Sequence, residues 1–154
     1  MMNQDKWSKL KKKALELGFD AIGVASPKDV SSFNRFQEWL KLGYEGEMEY
    51  MLRSSEKRID LEKVLPGVRS VVCFRSNYFP RRKSLDYLKN KEKGDISLYA
   101  LNEDYHDVIL PRLKDLENLI HKEFPEVRTK IYVDTGPVLE KSLAQTAGLG
   151  WIGK

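Results

Sequence analysis

A chain of 154 residues is sized for one domain, long enough to bury about two-thirds of the surface that its unfolded form exposes. With 41% hydrophobic and 32% charged residues it has the balance of a globular protein, and no apolar run approaches the ~20 residues that a membrane-spanning helix needs. The net charge is a modest +4, and the single cysteine, Cys73, excludes an internal disulfide and cannot by itself build a metal or iron–sulfur site.

The N-terminal MMNQDKWSKLKKK has neither the apolar stretch nor the cleavage site of a secretory signal, so a cytoplasmic location is the default expectation. Trp7, Leu10, Ala14 and Leu17 fall at helical spacing, and Gly18 follows as a C-terminal cap. Ala21 to Ala25 read as a short apolar strand in which Gly23 marks a close backbone approach. Ser31 or Ser32 can cap a second helix whose Phe33, Phe36, Trp39 and Leu40 form an apolar packing face. Gly43 and Gly46 break it, and Glu47 to Leu52 can form another short helix with Met48, Met51 and Leu52 on one side. The charged run Ser54 to Arg58 reads by its residues alone as a solvated loop. Pro66-Gly67 is a turn signal. It leads into Ser70 to Phe74, a continuous apolar run of the kind expected from a strand covered on both faces, where Cys73 reads as a small core residue.

Asn77 to Asp95 is polar and aperiodic, as a long surface excursion would be. Basic residues cluster at Lys11-Lys12-Lys13, Arg81-Arg82-Lys83 and Lys89 to Lys93. Such clusters attract polyanions such as RNA through counterion release, or simply solvate a helix face, and Glu16 and Asp20 favour the second reading for the first cluster. From Asp104 a helical pattern aligns Tyr105, Ile109, Leu113, Leu116 and Ile120, with Pro111 inside it expected to kink or restart the helix. His106 in the first turn has a structural reading beside a functional one, and His121 reads as exposed. Pro125 ends the helix, and Val127 to Val133 return the chain to the sheet.

The last stretch, Lys130 to Lys154, joins backbone geometry to reactive chemistry. Lys130 to Val133 read as a strand with Asp134 at its carboxyl end. Thr135-Gly136 form a tight turn, Pro137 suits the first position of a helix through Val138, Leu139, Leu143, Ala144 and Ala147, and Gly148 ends it. A carboxylate at a strand end facing a helix start lies where α/β sheets bind ligands; the alternative is that Asp134 only caps its own turn. Alternating helices and short apolar strands give an α/β fold, an α+β sandwich with a small mixed sheet flanked by helices, and no internal linker divides 1–154 into two domains.

The runs Tyr132-Val133-Asp134-Thr135-Gly136-Pro137-Val138-Leu139-Glu140-Lys141 and Gly148-Leu149-Gly150-Trp151-Ile152-Gly153-Lys154 resemble epoxyqueuosine reductase, which completes queuosine synthesis in tRNA using cobalamin and two [4Fe–4S] clusters. Met48-Glu49-Tyr50-Met51, Glu56-Lys57-Arg58, Leu65-Pro66-Gly67 and Asp104-Tyr105-His106 look like further blocks of that family in the expected order. One departure stands out, Leu101-Asn102 where the family commonly has Arg-Gly. The resemblance implies a cobalamin-reductase-like N-terminal domain. It makes Lys57, Arg58, Ser97, Tyr105, His106, Asp134, Trp151 and Lys154 candidates for cofactor contact, with Lys57, Arg58 and Lys154 also able to meet a phosphate. Glycines 148, 150 and 153 would let backbone approach a large flat cofactor, against the plainer reading of turns around a core tryptophan.

The implied reaction is a reductive deoxygenation in which a cyclopentane epoxide becomes an alkene, with two electrons and two protons consumed. The departing oxygen needs a proton, and Asp134 is the expected general acid. An aspartate has an ordinary pKa of about 3.9, so that role requires a pocket that desolvates it, with Tyr132, Val133 and the corrin as expected walls. Nothing here supplies the electrons, because the Cys-x-x-Cys-x-x-Cys-x-x-x-Cys-Pro runs of a paired-cluster ferredoxin module are missing. The expectation is therefore the N-terminal catalytic, cobalamin-binding domain alone, from a truncation or split reading frame, without the C-terminal ferredoxin-like domain and inactive by itself. The alternatives are a stand-alone tRNA- or corrinoid-binding module and a subunit working with a separate iron–sulfur partner. A cobalamin-dependent reductive dehalogenase is disfavoured by the missing export signal and by the agreement around Asp134.

Overall fold

The computed structural model describes residues 4–28, 32–78, 89–92, 94, 96–101 and 103–153; Ser31, the Arg81-Arg82-Lys83 cluster and Lys154 lie outside them. In chain order the elements are α1 (Gln4–Glu16), β1 (Ala21–Ala25), α2 (Phe33–Lys41), α3 (Glu49–Arg53), α4 (Ser55–Ile59), β2 (Val71–Arg75), α5 (Tyr105–Glu123) and α6 (Glu140–Thr146), with 3-10 turns at Leu61–Lys63 and Leu98–Leu101. Helix α1 ends as its sequence directs. Gly18 takes φ 87°, and the Gly18 and Phe19 N–H groups donate to the carbonyls of Leu15 and Ala14, each at 3.0 Å. The basic Lys11-Lys12-Lys13 run lies on this helix, where Lys12 stands 3.9 Å from Glu16 with both side chains largely in solvent.

Strands β1 and β2 pair antiparallel, from Ala21 opposite Arg75 to Ala25 opposite Val71. Because successive side chains point to opposite faces of a strand, this one register defines two cores. Ile22 and its partner Phe74 face a cluster of Leu10 and Ala14 from α1, Phe19, and Leu113 and Leu116 from α5. Ala25 and its partner Val71, with Cys73, face the second cluster, which holds Leu61, Val64 and Leu143 of α6. The result is the expected α+β sandwich, helices on both faces of a small sheet.

Gly23 faces the second core at its tightest point. A Cβ built on it would lie 2.3 Å from the Ala147 carbonyl oxygen, so only glycine lets the end of α6 rest on β1. Helix α2 is less central than its pattern suggests. It has no buried residue, Phe33 reaches the second core, and Phe36 and Trp39 stack on each other with centroids 6.2 Å apart. Ser32 occupies its N-cap position but makes no capping bond, its hydroxyl bonding that of Ser142 on α6 instead.

Three local expectations change. Ser55–Ile59 is helical rather than a loop, because Arg58 is drawn inside at 8% exposure and its Nε donates to Ser54 Oγ one turn earlier at 3.0 Å. Helix α5 does not restart at Pro111 but continues through it; the missing N–H would have met the carbonyl of Asp107, an exposed residue that water can serve. Residues 127–133 keep a strand's alternation without joining the sheet: Ile131 and Val133 enter the first core and Tyr132 the second. Their basic side chains bond to the neighbouring turn, Arg128 donating to the Pro66 carbonyl and Lys130 to that of Val64, each at 2.6 Å. Among the described residues the sheet is therefore β1 and β2 alone rather than mixed.

Gly23→Ala should destabilise the chain by about 1–3 kcal/mol, as overpacking does in a filled core. Urea denaturation measures it, and a loss below about 0.5 kcal/mol would show that α6 withdraws from the sheet at little cost.

Candidate active site

Asp134 is the only non-glycine residue with positive φ among the described residues, at 60°. That conformation is unfavourable for side chains in general and better tolerated by aspartate. The turn is closed by the Thr135 N–H, which donates to the Val133 carbonyl at 2.6 Å. At Gly136 a Cβ would stand 2.4 Å from the Tyr132 ring, so the chain passes flat against that aromatic. Asp134 does not cap its own turn. Its Oδ2 accepts from the Tyr105 hydroxyl at 3.0 Å, and its N–H donates to Glu140 Oε1 at 2.8 Å.

Helix α6 begins at Glu140, three residues later than Pro137 suggests, because residues 136–139 are held as loop. Gly136 lies on Tyr132, and the Val138 carbonyl accepts from Arg58 Nη1 at 3.1 Å. Arg58, expected to meet a cofactor or phosphate, thus braces this loop from the protein side. Gly148 ends α6 as expected, at φ 76°.

The start of α5 forms the facing wall. Asp104 caps it by accepting from the His106 N–H at 2.9 Å, and its Oδ1 also lies 2.7 Å from His106 Nδ1. These bonds, the backbone one first, hold the Asp104 carboxyl below the usual carboxylate range. With Nδ1–H facing a carboxylate, Nε2 of a neutral His106 is an acceptor. That atom is shielded from solvent without a hydrogen-bond partner among the described residues. The His106 ring stacks on Tyr105 at 4.1 Å, and Tyr99 and Tyr78 extend an edge-to-face series at 6.3 and 6.4 Å. The bond to Asp134 pushes the Tyr105 phenol above its ordinary pKa, so it stays a donor at neutral pH.

The structure thus gathers Asp134, Tyr105 and His106, with Arg58 behind the loop. No hydrogen bond or ion pair joins Lys57, Ser97 or Trp151 to them among the described residues. Lys57 and Ser97 are exposed, and Trp151 stands 92% exposed instead of forming core. Tyr132 and Val133 belong to the two cores, and Asp134 is itself exposed, so the expected desolvating walls are not provided by those side chains. His121, read as merely exposed, also bonds Thr129 Oγ1 at 2.8 Å. Glu140 was visible in the sequence only as part of a motif, since nothing in residue type shows which N–H a glutamate six positions on will accept.

A cavity of about 500 Å³ lies behind the loop, with Val72 and Phe74 of β2, Tyr132, Val133 and Glu140 among its walls. Burial raises the Glu140 carboxyl pKa, partly offset by the N–H of Asp134 and the charge of Arg58. Burial, with the Glu140 charge second, pushes the Cys73 thiol up to about 11.

The protein is of the α+β class, a domain that presents a tethered aspartate on the loop before a short helix. Residues 58–135 match the family model described as epoxyqueuosine reductase QueG, DUF1730, and the chain belongs to that family. It is 39% identical over 147 residues to the epoxyqueuosine reductase of Escherichia coli (strain K12), an alignment covering 95% of this chain and 39% of that protein. Its fold matches the Bacillus subtilis epoxyqueuosine reductase, solved with its aspartate catalytic loop swung out of the active site, at a TM-score of 0.75 and 25% identity over 96% of this chain and 39% of that one. A third relative, an epoxyqueuosine reductase crystallised with an epoxyqueuosine-modified tRNA-Tyr stem loop, gives a TM-score of 0.72 and 26% identity, again over 96% of this chain and 39% of that one. The chain therefore spans about two-fifths of the length of these relatives.

At pH 8 the half-buried Cys73 thiol should react with iodoacetamide roughly two hundredfold more slowly in the native chain than in urea, the ratio of thiolate expected between a pKa of about 11 and an ordinary ~8.5. Equal rates, followed by mass spectrometry, would place the thiol in water.

Proposed function

We propose that residues 1–154 are the catalytic, cobalamin-binding N-terminal domain of an epoxyqueuosine reductase, which reduces epoxyqueuosine to queuosine in tRNA with Asp134 as proton donor. The observation that carries this reading is the bond from Tyr105, on which His106 stacks, to Asp134 inside the stretch that matches the family model. The relative bound to a modified tRNA stem loop supports tRNA as substrate. A cytoplasmic location accords with that substrate, and no helix among the described residues is long and apolar enough to cross a membrane.

The residues fit a corrin. His106 Nε2 is a shielded ring nitrogen without a hydrogen-bond partner among the described residues, Trp151 offers a bare aromatic face, and open space surrounds the Cβ positions of Gly148, Gly150 and Gly153. Lys57, Ser97 and Lys154 complete the proposed contacts, and Arg58 acts through the loop it supports. Bound cobalamin would supply the reducing equivalents to the substrate carbon. The electrons would come from two [4Fe–4S] clusters in a ferredoxin-like domain or from a separate donor.

Tyr105 fixes Oδ2 of Asp134, which leaves Oδ1 to carry the proton to the departing oxygen. Because Asp134 is exposed, the dry environment that keeps such a proton in place forms only when cofactor and nucleoside cover it. The domain alone should show no reductase activity.

In the chain extended to the full length of its relatives, Asp134→Asn should lower turnover at least about a hundredfold with cobalamin binding retained, the usual weight of a general acid. Undiminished turnover removes Asp134 from the chemistry. Titration of both chain lengths with cob(II)alamin, read by electron paramagnetic resonance, should show binding by the extended one; failure of both would sink the cobalamin assignment.

A further inference from the structure

Asp134 keeps a positive-φ backbone conformation that is uncommon for a residue with a side chain, even an aspartate, and that its surroundings help to hold. Within the turn itself the closure is one backbone bond, from the Thr135 N–H to the Val133 carbonyl. Two further restraints arrive from elements fixed independently of the loop. Tyr105, on the helix anchored by Leu113 and Leu116, holds the Asp134 carboxyl. Glu140, on the helix anchored by Leu143 and seated on Gly23, holds the Asp134 backbone N–H at 2.8 Å.

The two contacts are not equivalent. A bond to the carboxyl orients a side chain that can rotate, whereas a bond to the N–H fixes the peptide plane and with it φ. Burial raises the Glu140 carboxyl pKa overall, and the bond from the Asp134 N–H, with the charge of Arg58 that is itself tied to the Val138 carbonyl, offsets part of that rise.

We propose that Glu140 is the positioning residue of the Asp134 loop: its carboxylate holds the Asp134 backbone in the left-handed conformation that delivers the carboxyl to Tyr105, and loss of that one bond releases the whole turn. Its consequence for turnover rests on Asp134 being the proton donor, but the latch is a property of the chain by itself.

Backbone amide exchange of the ¹⁵N-labelled 154-residue chain tests it with Glu140→Ala and Glu140→Gln. The alanine variant should exchange the Asp134 and Thr135 amides at least about tenfold faster, while Ala147 and Leu149, whose N–H groups close the end of α6, keep their protection. Glutamine offers a carbonyl to the same N–H and should restore most of the protection. The proposal is overturned if Thr135 is unaffected, if α6 loses protection together with the loop, or if glutamine fails to rescue. In the extended enzyme Glu140→Ala should lower kcat about tenfold with KM little changed. If Asp134→Asn leaves turnover intact while Glu140→Ala still frees the turn, the latch stands and the proton-donor reading falls.

Discussion

The pairing of β1 with β2 is the constraint from which the remaining architecture follows. Two strands whose alternate residues are apolar on both sides cannot rest in water on either face, so each needs its own cover. Helices α1 and α5 close on Ile22 and Phe74, and α6 with the 3-10 turn at Leu61–Lys63 closes on Ala25, Val71 and Cys73. Gly23 sets how closely the second cover can approach. With α6 seated there and α5 seated opposite, the connection between residues 127 and 139 has to pass from one core to the other, and Asp134 sits at the crossing.

That crossing explains why the site is assembled from distant parts of the chain. Tyr105 and His106 come from the start of α5, Glu140 from the start of α6, and Arg58 from α4 under the loop. Tyr105 and Glu140 belong to helices anchored in the two cores, so the aspartate is held by rigid supports although the loop itself is exposed. A site of this kind has preorganised geometry and an open face. Its protein side fixes the direction of the carboxyl and leaves the other side open.

Much of this was legible in the residues. The positions of α1, β1, β2 and α5 follow from periodicity and from Gly18, and Gly23 announced a close contact from its place inside a strand pattern. Asp134 stood out because it ends an apolar run before a Thr-Gly turn. What could not be read were choices between partners. Ser54 to Arg58 has the composition of a loop and becomes a helix because Arg58 finds the Ser54 hydroxyl and the Val138 carbonyl. Lys130 to Val133 has the composition of a strand and stays outside the sheet, its side chains dividing between the two cores while Arg128 and Lys130 bond the carbonyls of Pro66 and Val64.

The sequence by itself therefore determined the fold class, the elements that pack the two cores, the aspartate and the family to which the chain belongs, because these depend on the order of apolar, glycine and charged residues along the chain. Tertiary structure alone decided where α6 begins, that Asp134 takes positive φ, and that Tyr105 and Glu140 grip its two ends. Those outcomes depend on which donor meets which acceptor across separations of 29 and 6 residues. Residue type specifies the capacity to form a hydrogen bond, and only the packed cores bring the partners within reach.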